Sequence, residues 1–125
     1  MILLDTHSLI WFMYDDSQLS ELALSEIKSE EKVYVSIVSL WEIAIKQSIG
    51  KINISNTIQE IADKCYEADV SILPISAVHL DQIRQLPDIH SDPFDRLLIS
   101  QAITEDLAII TRDTMISLYD VKTIW

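Results

Sequence analysis

Short apolar runs alternate along this chain with segments of helical spacing, and this alternation constrains the fold more than any other feature. Each run is short enough, and apolar or β-branched enough, to predict a strand. The predicted strands are residues 1–4, 33–36, 70–75, 107–111 and 121–124. Strands connected through helices favour right-handed crossovers, so the pattern predicts an α/β fold with a mainly parallel sheet and helices on both faces.

The segments between the strands predict six helices. They are Thr6–Met13, Ser20–Lys28, Ser39–Ile49, Thr57–Glu67, Ser76–Gln85 and a helix beginning after Asp92. Ser39 with Glu42, and Thr57 with Glu60, fit the Ser/Thr-x-x-Glu capping box. Gly50 is the predicted stop of the third helix.

The helix after Asp92 has the clearest start signal in the chain. Asp92 is a favourable N-cap, and Pro93 suits the first helical position, where its missing N–H costs nothing. Asp95 falls in the first turn, where an acid complements the helix dipole, and this alone would explain it. The following apolar positions, Phe94, Leu97, Leu98, Ala102 and Ile103, recur at helical spacing.

Length and composition predict one globular domain over residues 1–125. The chain is 49% hydrophobic and 23% charged, as folded proteins are. We expect no signal peptide and no membrane span, because the first residues lack a basic segment and no apolar run approaches about 18 residues. Cys65 is the only cysteine, which excludes an internal disulfide and a cysteine zinc cluster and suits a reducing cytoplasm. With Gly50 as the only glycine, glycine-rich phosphate loops are also excluded.

The chain is strongly acidic, with 20 Asp and Glu against 9 Lys and Arg and a net charge of −11. Such a balance argues against phosphate binding by a basic surface. It favours either a basic partner or bound cations, and the clustering of the acids decides between them.

Four acids follow or flank the predicted strands. Asp5 comes directly after the first strand and Asp113 after the fourth, while Glu42 and Asp95 lie on helices. Ligands of parallel sheets bind at the carboxyl ends of the strands, so all four side chains are expected to converge there. Two carboxylates about 5 Å apart repel by roughly 3 kcal/mol, and six such pairs would rival the whole stability of a domain. We therefore expect this cluster to take up protons or to bind cations.

Carboxylate ligands predict Mg²⁺ or Mn²⁺ rather than zinc. Such an ion can activate water for attack on a phosphodiester and can supply the positive field that the chain lacks. Four bases are candidate contacts to a nucleic-acid backbone, although each could equally be an ordinary surface residue: Arg96, Arg112, Lys46 and Lys51.

Four ordered segments resemble the PIN-domain nucleases, and among them the VapC-like toxins of toxin–antitoxin pairs. These segments are Leu3–His7, Ser39–Lys46, Asp92–Ala102 and Ile110–Asp113. The resemblance implies a three-layer α/β/α sandwich and a Mg²⁺- or Mn²⁺-dependent endoribonuclease that acts as a toxin. It also implies an RNA substrate, a cognate antitoxin whose tail covers the active site, and a homodimer.

The resemblance assigns roles by position. Asp5 and Asp95 match the main metal ligands, and Glu42 and Asp113 match the acids that complete the coordination or hold water. Thr6 and Thr111 would support them. His7 stands where many relatives carry Asn, and Asp92 could approach the pocket although capping explains it.

The remaining histidines and tryptophans have simpler interpretations. His7, His79 and His90 lack the spacing of a ligand set, so each is interpreted as structural or exposed. Trp11 and Trp41 could stack on RNA bases, but we predict that both pack in the core.

Two other functions stay open. An aspartyl-phosphate enzyme also uses an acid after the first strand, but position 7 is His where a phosphatase requires a second acid. A non-catalytic binding module of the same fold is the other alternative, although unpaired carboxylates in a shared pocket are costly to retain.

Overall fold

In a computed structural model of the chain, which describes all 125 residues, five strands form one parallel sheet. The strands are β1 (Ile2–Leu4), β2 (Val33–Ser36), β3 (Val70–Leu73), β4 (Ala108–Ile110) and β5 (Thr123–Ile124). Their order across the sheet is β3-β2-β1-β4-β5, and every neighbouring pair is parallel. The predicted mainly parallel sheet is confirmed. β3 is an edge strand that ends immediately before Pro74, as a residue without an N–H requires.

Six α-helices connect the strands. They are α1 (Thr6–Met13), α2 (Glu21–Ser29), α3 (Ile37–Ser48), α4 (Ile58–Glu67), α5 (Ala77–Ile83) and α6 (Pro93–Glu105). A single 3₁₀ turn, Ile116–Leu118, precedes β5. None of these helices combines the length and apolar character that crossing a bilayer requires.

The central strand shows why the helices lie in two layers. Successive side chains of a strand point to opposite faces, so Ile2 and Leu4 pack into one core and Leu3 into the other. The first core also contains buried residues of α1, α2 and α4, and the second contains those of α6. The α/β/α sandwich is therefore confirmed.

The start of α3 differs from the prediction. The helix begins at Ile37, directly after β2, and the Ser36 hydroxyl caps it by accepting the Val38 N–H at 3.1 Å. Ser39 is buried inside the first turn, so the predicted Ser39–Glu42 capping box is wrong. Glu42 is buried on the same helix, with 5% of its surface exposed. By contrast, the predicted capping box of Thr57 and Glu60 is confirmed, with both of its hydrogen bonds present.

The two tryptophans predicted for the core behave differently. Trp11 is buried, with 8% of its surface exposed, whereas Trp41 is 57% exposed. The ring of Trp41 packs edge-on against Phe94, with 5.2 Å between the ring centroids. The core prediction for Trp41 is wrong because the buried face of α3 contains Val38, Glu42 and Ile43, and position 41 lies on another side. The predicted end of α3 is confirmed at Gly50, whose φ of +72° suits a residue without a side chain.

Replacing Ser36 with alanine is expected to lower the free energy of unfolding by about 1–2 kcal/mol, because the cap of α3 is lost at a buried position. A urea unfolding curve measures the change. Ser48→Ala, at the exposed last residue of the same helix, is the matched control and should change stability by less than about 0.5 kcal/mol. Equal midpoints for Ser36→Ala and the wild type would contradict the assigned helix start.

Candidate active site

The sheet order creates a crevice at the carboxyl ends of the central strands. The chain builds β1, β2 and β3 outward in one direction and then places β4 on the other side of β1. Ligands of open parallel sheets bind where the strand order reverses in this way. A cavity of about 250 Å³ lies at this edge, and it is lined by all four predicted acids, Asp5, Glu42, Asp95 and Asp113.

Asp5 is held at the end of β1 by its capping role. Its Oδ1 accepts the backbone N–H of Ser8 at 2.8 Å, which starts α1. The Ser8 hydroxyl then donates to the carbonyl of Ile110 at 3.0 Å and joins this turn to β4. Asp5 is only 7% exposed, and its Oδ2 has no hydrogen-bond donor from the protein.

Glu42 is a buried carboxylate with both oxygens paired. Its Oε1 accepts the Thr6 hydroxyl at 2.7 Å, and its Oε2 lies 2.6 Å from Nζ of Lys46, one turn along α3. Lys46 therefore neutralises the charge of Glu42 inside the site.

Asp95 is the most strongly perturbed acid of the site. It lies in the first turn of α6, after Asp92, whose Oδ1 caps that helix through the Phe94 N–H at 2.8 Å. Burial, followed by the negative charges of Asp92, Asp5 and Glu42, raises the pKa of Asp95 to about 7 against an opposing effect of His90. Asp92 thus caps α6 and also lines the cavity.

His90 connects two of the acids. Its Nε2 lies 2.8 Å from Oδ2 of Asp113 and 3.1 Å from Oδ2 of Asp95, and its Nδ1 accepts the Asp92 backbone N–H at 3.1 Å. Because Nδ1 is an acceptor, the neutral ring carries its proton on Nε2, which donates to Oδ2 of Asp113 with Oδ2 of Asp95 in close contact. The interpretation of His90 as merely structural or exposed misses this contact; its place just before the α6 cap was the only available signal.

Asp113 has both of its oxygens paired as well. Oδ2 accepts from His90, and Oδ1 accepts the Met115 N–H at 2.9 Å. Its own N–H donates to the hydroxyl of Thr111 at 3.0 Å, so Thr111 shapes the turn after β4. Thr6 and Thr111 are thus both placed beside acids of the site.

The four predicted bases separate into two groups. Arg112 and Lys46 line the cavity, and the Arg112 guanidinium lies 4.6 Å from the centre of the Trp11 ring. Arg96 does not line it; its Nη1 donates to the Pro87 carbonyl at 3.0 Å and to the Tyr119 hydroxyl at 3.3 Å. Lys51 is exposed beyond the end of α3 and is also absent from the cavity wall.

The other two histidines also differ from each other. His79 is buried in α5, where its ring nitrogens pair with Ser76 and Glu105, and this structural role agrees with its predicted interpretation. His7 is exposed at the cavity, with its ring stacked on Trp11 at 5.5 Å between centroids.

The donor atoms that face the cavity suit a hard cation. One ligating atom from each of His90, Asp95 and Asp113 lies within 4.8 Å of the other two, but the Nε2–H of His90 is a hydrogen-bond donor rather than a ligand. Oδ2 of Asp5 and both carboxylate oxygens of Asp95 accept no hydrogen bond from the protein, although Oδ2 of Asp95 lies 3.1 Å from Nε2 of His90. Oxygen ligands of this kind fit Mg²⁺ or Mn²⁺.

Comparison with known families agrees with this geometry. The sequence model of the PIN domain matches residues 2–122. The chain belongs to the PIN domain family. A search of curated proteins finds no significant match to it.

Solved structures with the same fold cover this PIN domain along its whole length. A chain of VapBC2 from Rickettsia felis, bound to a fragment of promoter DNA, has a TM-score of 0.71 at 16% identity and covers 99% of this chain and 98% of its own. FitAcB from Neisseria gonorrhoeae gives 0.67 at 21% identity, and a toxin–antitoxin complex from Klebsiella pneumoniae gives 0.67 at 16%. Both cover 100% of this chain and 97% of their own. At these identities the likeness establishes the fold.

Proposed function

We propose that this PIN domain protein is a Mg²⁺- or Mn²⁺-dependent endoribonuclease. The observation that supports this most is the meeting of Asp5, Glu42, Asp95 and Asp113 in one cavity at the switch point of the sheet. Burial first, and then the negative charges of Asp92, Asp5 and Glu42, raise the pKa of Asp95, and a divalent cation would offset the repulsion between these carboxylates.

The hydrogen bonds divide the four acids into two roles. Asp5 and Asp95 each keep an oxygen without a protein donor, so these two would hold the metal ion directly. Glu42 and Asp113 are fixed by donors on both oxygens, so they would complete the site by accepting hydrogen bonds from water. A bound divalent ion would lower the pKa of water and stabilise the charge that develops on an attacked phosphodiester.

Side chains of the protein would bind the RNA and would position the carboxylates of the site. Arg112 is exposed at the cavity and offers a guanidinium to a phosphate, whereas Lys46 remains paired with Glu42. His90 would keep the carboxylates of Asp95 and Asp113 at a fixed separation through its Nε2–H.

Cleavage of RNA tests this proposal. A purified RNA pool should be cut by the wild type with Mg²⁺ or Mn²⁺, and not in the presence of EDTA. Asp5→Asn should reduce the rate by at least about 100-fold, because it removes a direct metal ligand. Asp81→Asn, which makes the same change at a side chain that is 75% exposed on α5, should leave the rate unchanged.

Two results would reject the nuclease. Equal residual cleavage by Asp5→Asn and the wild type would identify a contaminating enzyme. Stabilisation by Mg²⁺ without any cleavage of RNA would favour the non-catalytic binding module instead.

We further propose that the protein is a toxin, paired with an antitoxin whose tail covers the acidic cavity, and that it forms a homodimer in the cytoplasm. The support for the toxin and its antitoxin is that the structures of similar fold include VapBC2, FitAcB and a toxin–antitoxin complex. Expression of the chain alone should arrest bacterial growth, and co-expression of the small protein encoded beside it should restore growth. Asp5→Asn should be harmless in the same assay; toxicity equal to that of the wild type would contradict a nucleolytic toxin.

A further inference from the structure

We infer that His7, Trp11 and Arg112 form a nucleotide subsite beside the acidic cluster, in which the His7 ring stacks on a base and Arg112 binds a phosphate. We call these three residues the stacking wall. This inference rests on the proposed function, because it names the part of an RNA strand that the cavity would hold next to the cleaved bond.

The wall is a layered arrangement of flat groups. The rings of His7 and Trp11 lie 5.5 Å apart and 22° from parallel, and the guanidinium of Arg112 lies 4.6 Å from the Trp11 centroid. All three residues line the same cavity as the four acids. His7 and Arg112 are exposed, so both retain surface for a ligand.

Trp11 gives the wall its rigidity. Only 8% of its surface is exposed. Its ring also packs edge-on against Trp125, with 5.8 Å between the ring centroids. The exposed groups therefore rest on a fixed support, and little conformational freedom remains to be lost when a ligand binds.

The stacking wall carries the one unpaired positive charge of the cavity. Lys46 is paired with Glu42, but Arg112 forms no salt bridge anywhere in the protein. An anionic group that enters this acidic cavity would therefore meet one unpaired cation, and a guanidinium presents several N–H donors to phosphate oxygens.

The cavity otherwise offers no flat surface to a ligand. Trp11 is its only hydrophobic lining residue, and it is the residue that the imidazole of His7 covers. A ligand that combines a phosphate with a planar ring fits this wall, whereas an aliphatic ligand would find no apolar contact. Stacking of nucleobases on such rings is strong and tolerates different bases.

Mononucleotides test the subsite without any cleavable bond. AMP or UMP is titrated into the wild-type protein with Mg²⁺, and ribose 5-phosphate serves as the ligand without a base. We expect the ring protons of His7 to shift upfield in the NMR spectrum with AMP and UMP but not with ribose 5-phosphate. The buried His79 provides an internal reference that should not move.

Steady-state kinetics on a single-stranded RNA substrate measure the energetic effect. His7→Ala should raise KM about tenfold with a much smaller change in kcat, because stacking is lost while the acids are retained. His7→Phe keeps a flat ring and should restore KM to within about threefold of the wild type. Tyr66→Ala removes an 85% exposed aromatic residue on α4 and should leave KM unchanged.

The salt dependence of KM isolates Arg112. Arg112→Gln should reduce the slope of log KM against log salt concentration by about one phosphate contact. His7→Ala, which removes no phosphate contact, should leave this slope unchanged.

Different results would reject the subsite and the nuclease. An equal KM for His7→Ala and the wild type, or identical His7 shifts with ribose 5-phosphate and AMP, would overturn the subsite while cleavage by the wild type still supports the nuclease. If the wild type cuts no RNA, the proposed function fails, and the His7 shift with AMP still decides whether a base binds at the wall.

Discussion

Asp95→Asn is expected to stabilise the protein in EDTA at pH 8 and to abolish RNA cleavage in Mg²⁺. Asp95 lies among Asp5, Glu42 and Asp92, and its burial with these charges raises its pKa from the ordinary 3.8 to about 7. Its side chain is 20% exposed, so water screens the repulsion only in part. An amide at this position removes the unfavourable charge and also removes a proposed metal ligand.

The pH dependence follows from the direction of this shift. Between about pH 4 and pH 7 the folded protein retains a proton on Asp95 that the unfolded chain has already lost. The contribution of this carboxyl to stability therefore falls as the pH rises through that window, and the penalty is complete above pH 7. Removing it should be worth on the order of 2–3 kcal/mol more at pH 8 than at pH 5.

Urea unfolding in EDTA at the two pH values measures this difference. The wild type should gain stability on addition of Mg²⁺ at pH 8, as mass action requires, and Asp95→Asn should gain almost none. Asp81→Asn makes the same substitution at an exposed residue and should behave as the wild type does in every condition. A gain from Asp95→Asn that is equal at pH 5 and pH 8 would show that its charge is not the cause.

Much of this arrangement could be predicted from sequence because parallel strands place their carboxyl ends at one edge. Asp5 follows β1 and Asp113 follows β4, and these two strands are hydrogen-bonded neighbours. Once the strands are recognised, the topology brings both acids to the same crevice. Short apolar runs and strong helix caps were sufficient for that step, and the fold is confirmed.

The start of α3 could not be predicted from local signals. Ser36 and Ser39 are both acceptable caps, and Glu42 completes a capping box only with Ser39. The end of β2 decides between them, because the chain passes from strand to helix without a loop. That choice depends on the pairing of β2 with β1 and β3.

His90 lies beyond sequence reasoning for a related cause. It belongs to the stretch between α5 and α6, which has neither helical nor strand periodicity. Its partner Asp113 is 23 residues away, and their contact depends on how α6 packs against the sheet. Arg96 is a predicted candidate contact to a nucleic-acid backbone and is adjacent to Asp95 in sequence. In the structure its side chain instead binds Pro87 and Tyr119 outside the cavity.

Removing the His90 ring should impair metal binding even though His90 is not a proposed ligand. In His90→Ala the carboxylate of Asp113 loses its donor, Asp95 loses the imidazole that lies 3.1 Å from its Oδ2, and the Asp92 N–H loses its acceptor. Groups that orient metal ligands typically contribute 10- to 100-fold to metal affinity or activity. We expect the Mg²⁺ concentration for half-maximal cleavage to rise by about this factor, and stability in EDTA to fall by about 1–3 kcal/mol.

A conservative variant separates positioning from simple loss of packing. His90→Gln retains an N–H donor for the carboxylates and a carbonyl acceptor for the Asp92 N–H, so it should recover much of the Mg²⁺ response. His79→Ala is the matched control, since this histidine is also buried and hydrogen-bonded but lies outside the cavity. It should lower stability without changing the Mg²⁺ dependence of cleavage. If His79→Ala and His90→Ala shift that dependence equally, both act through stability, and the bridging role of His90 is wrong.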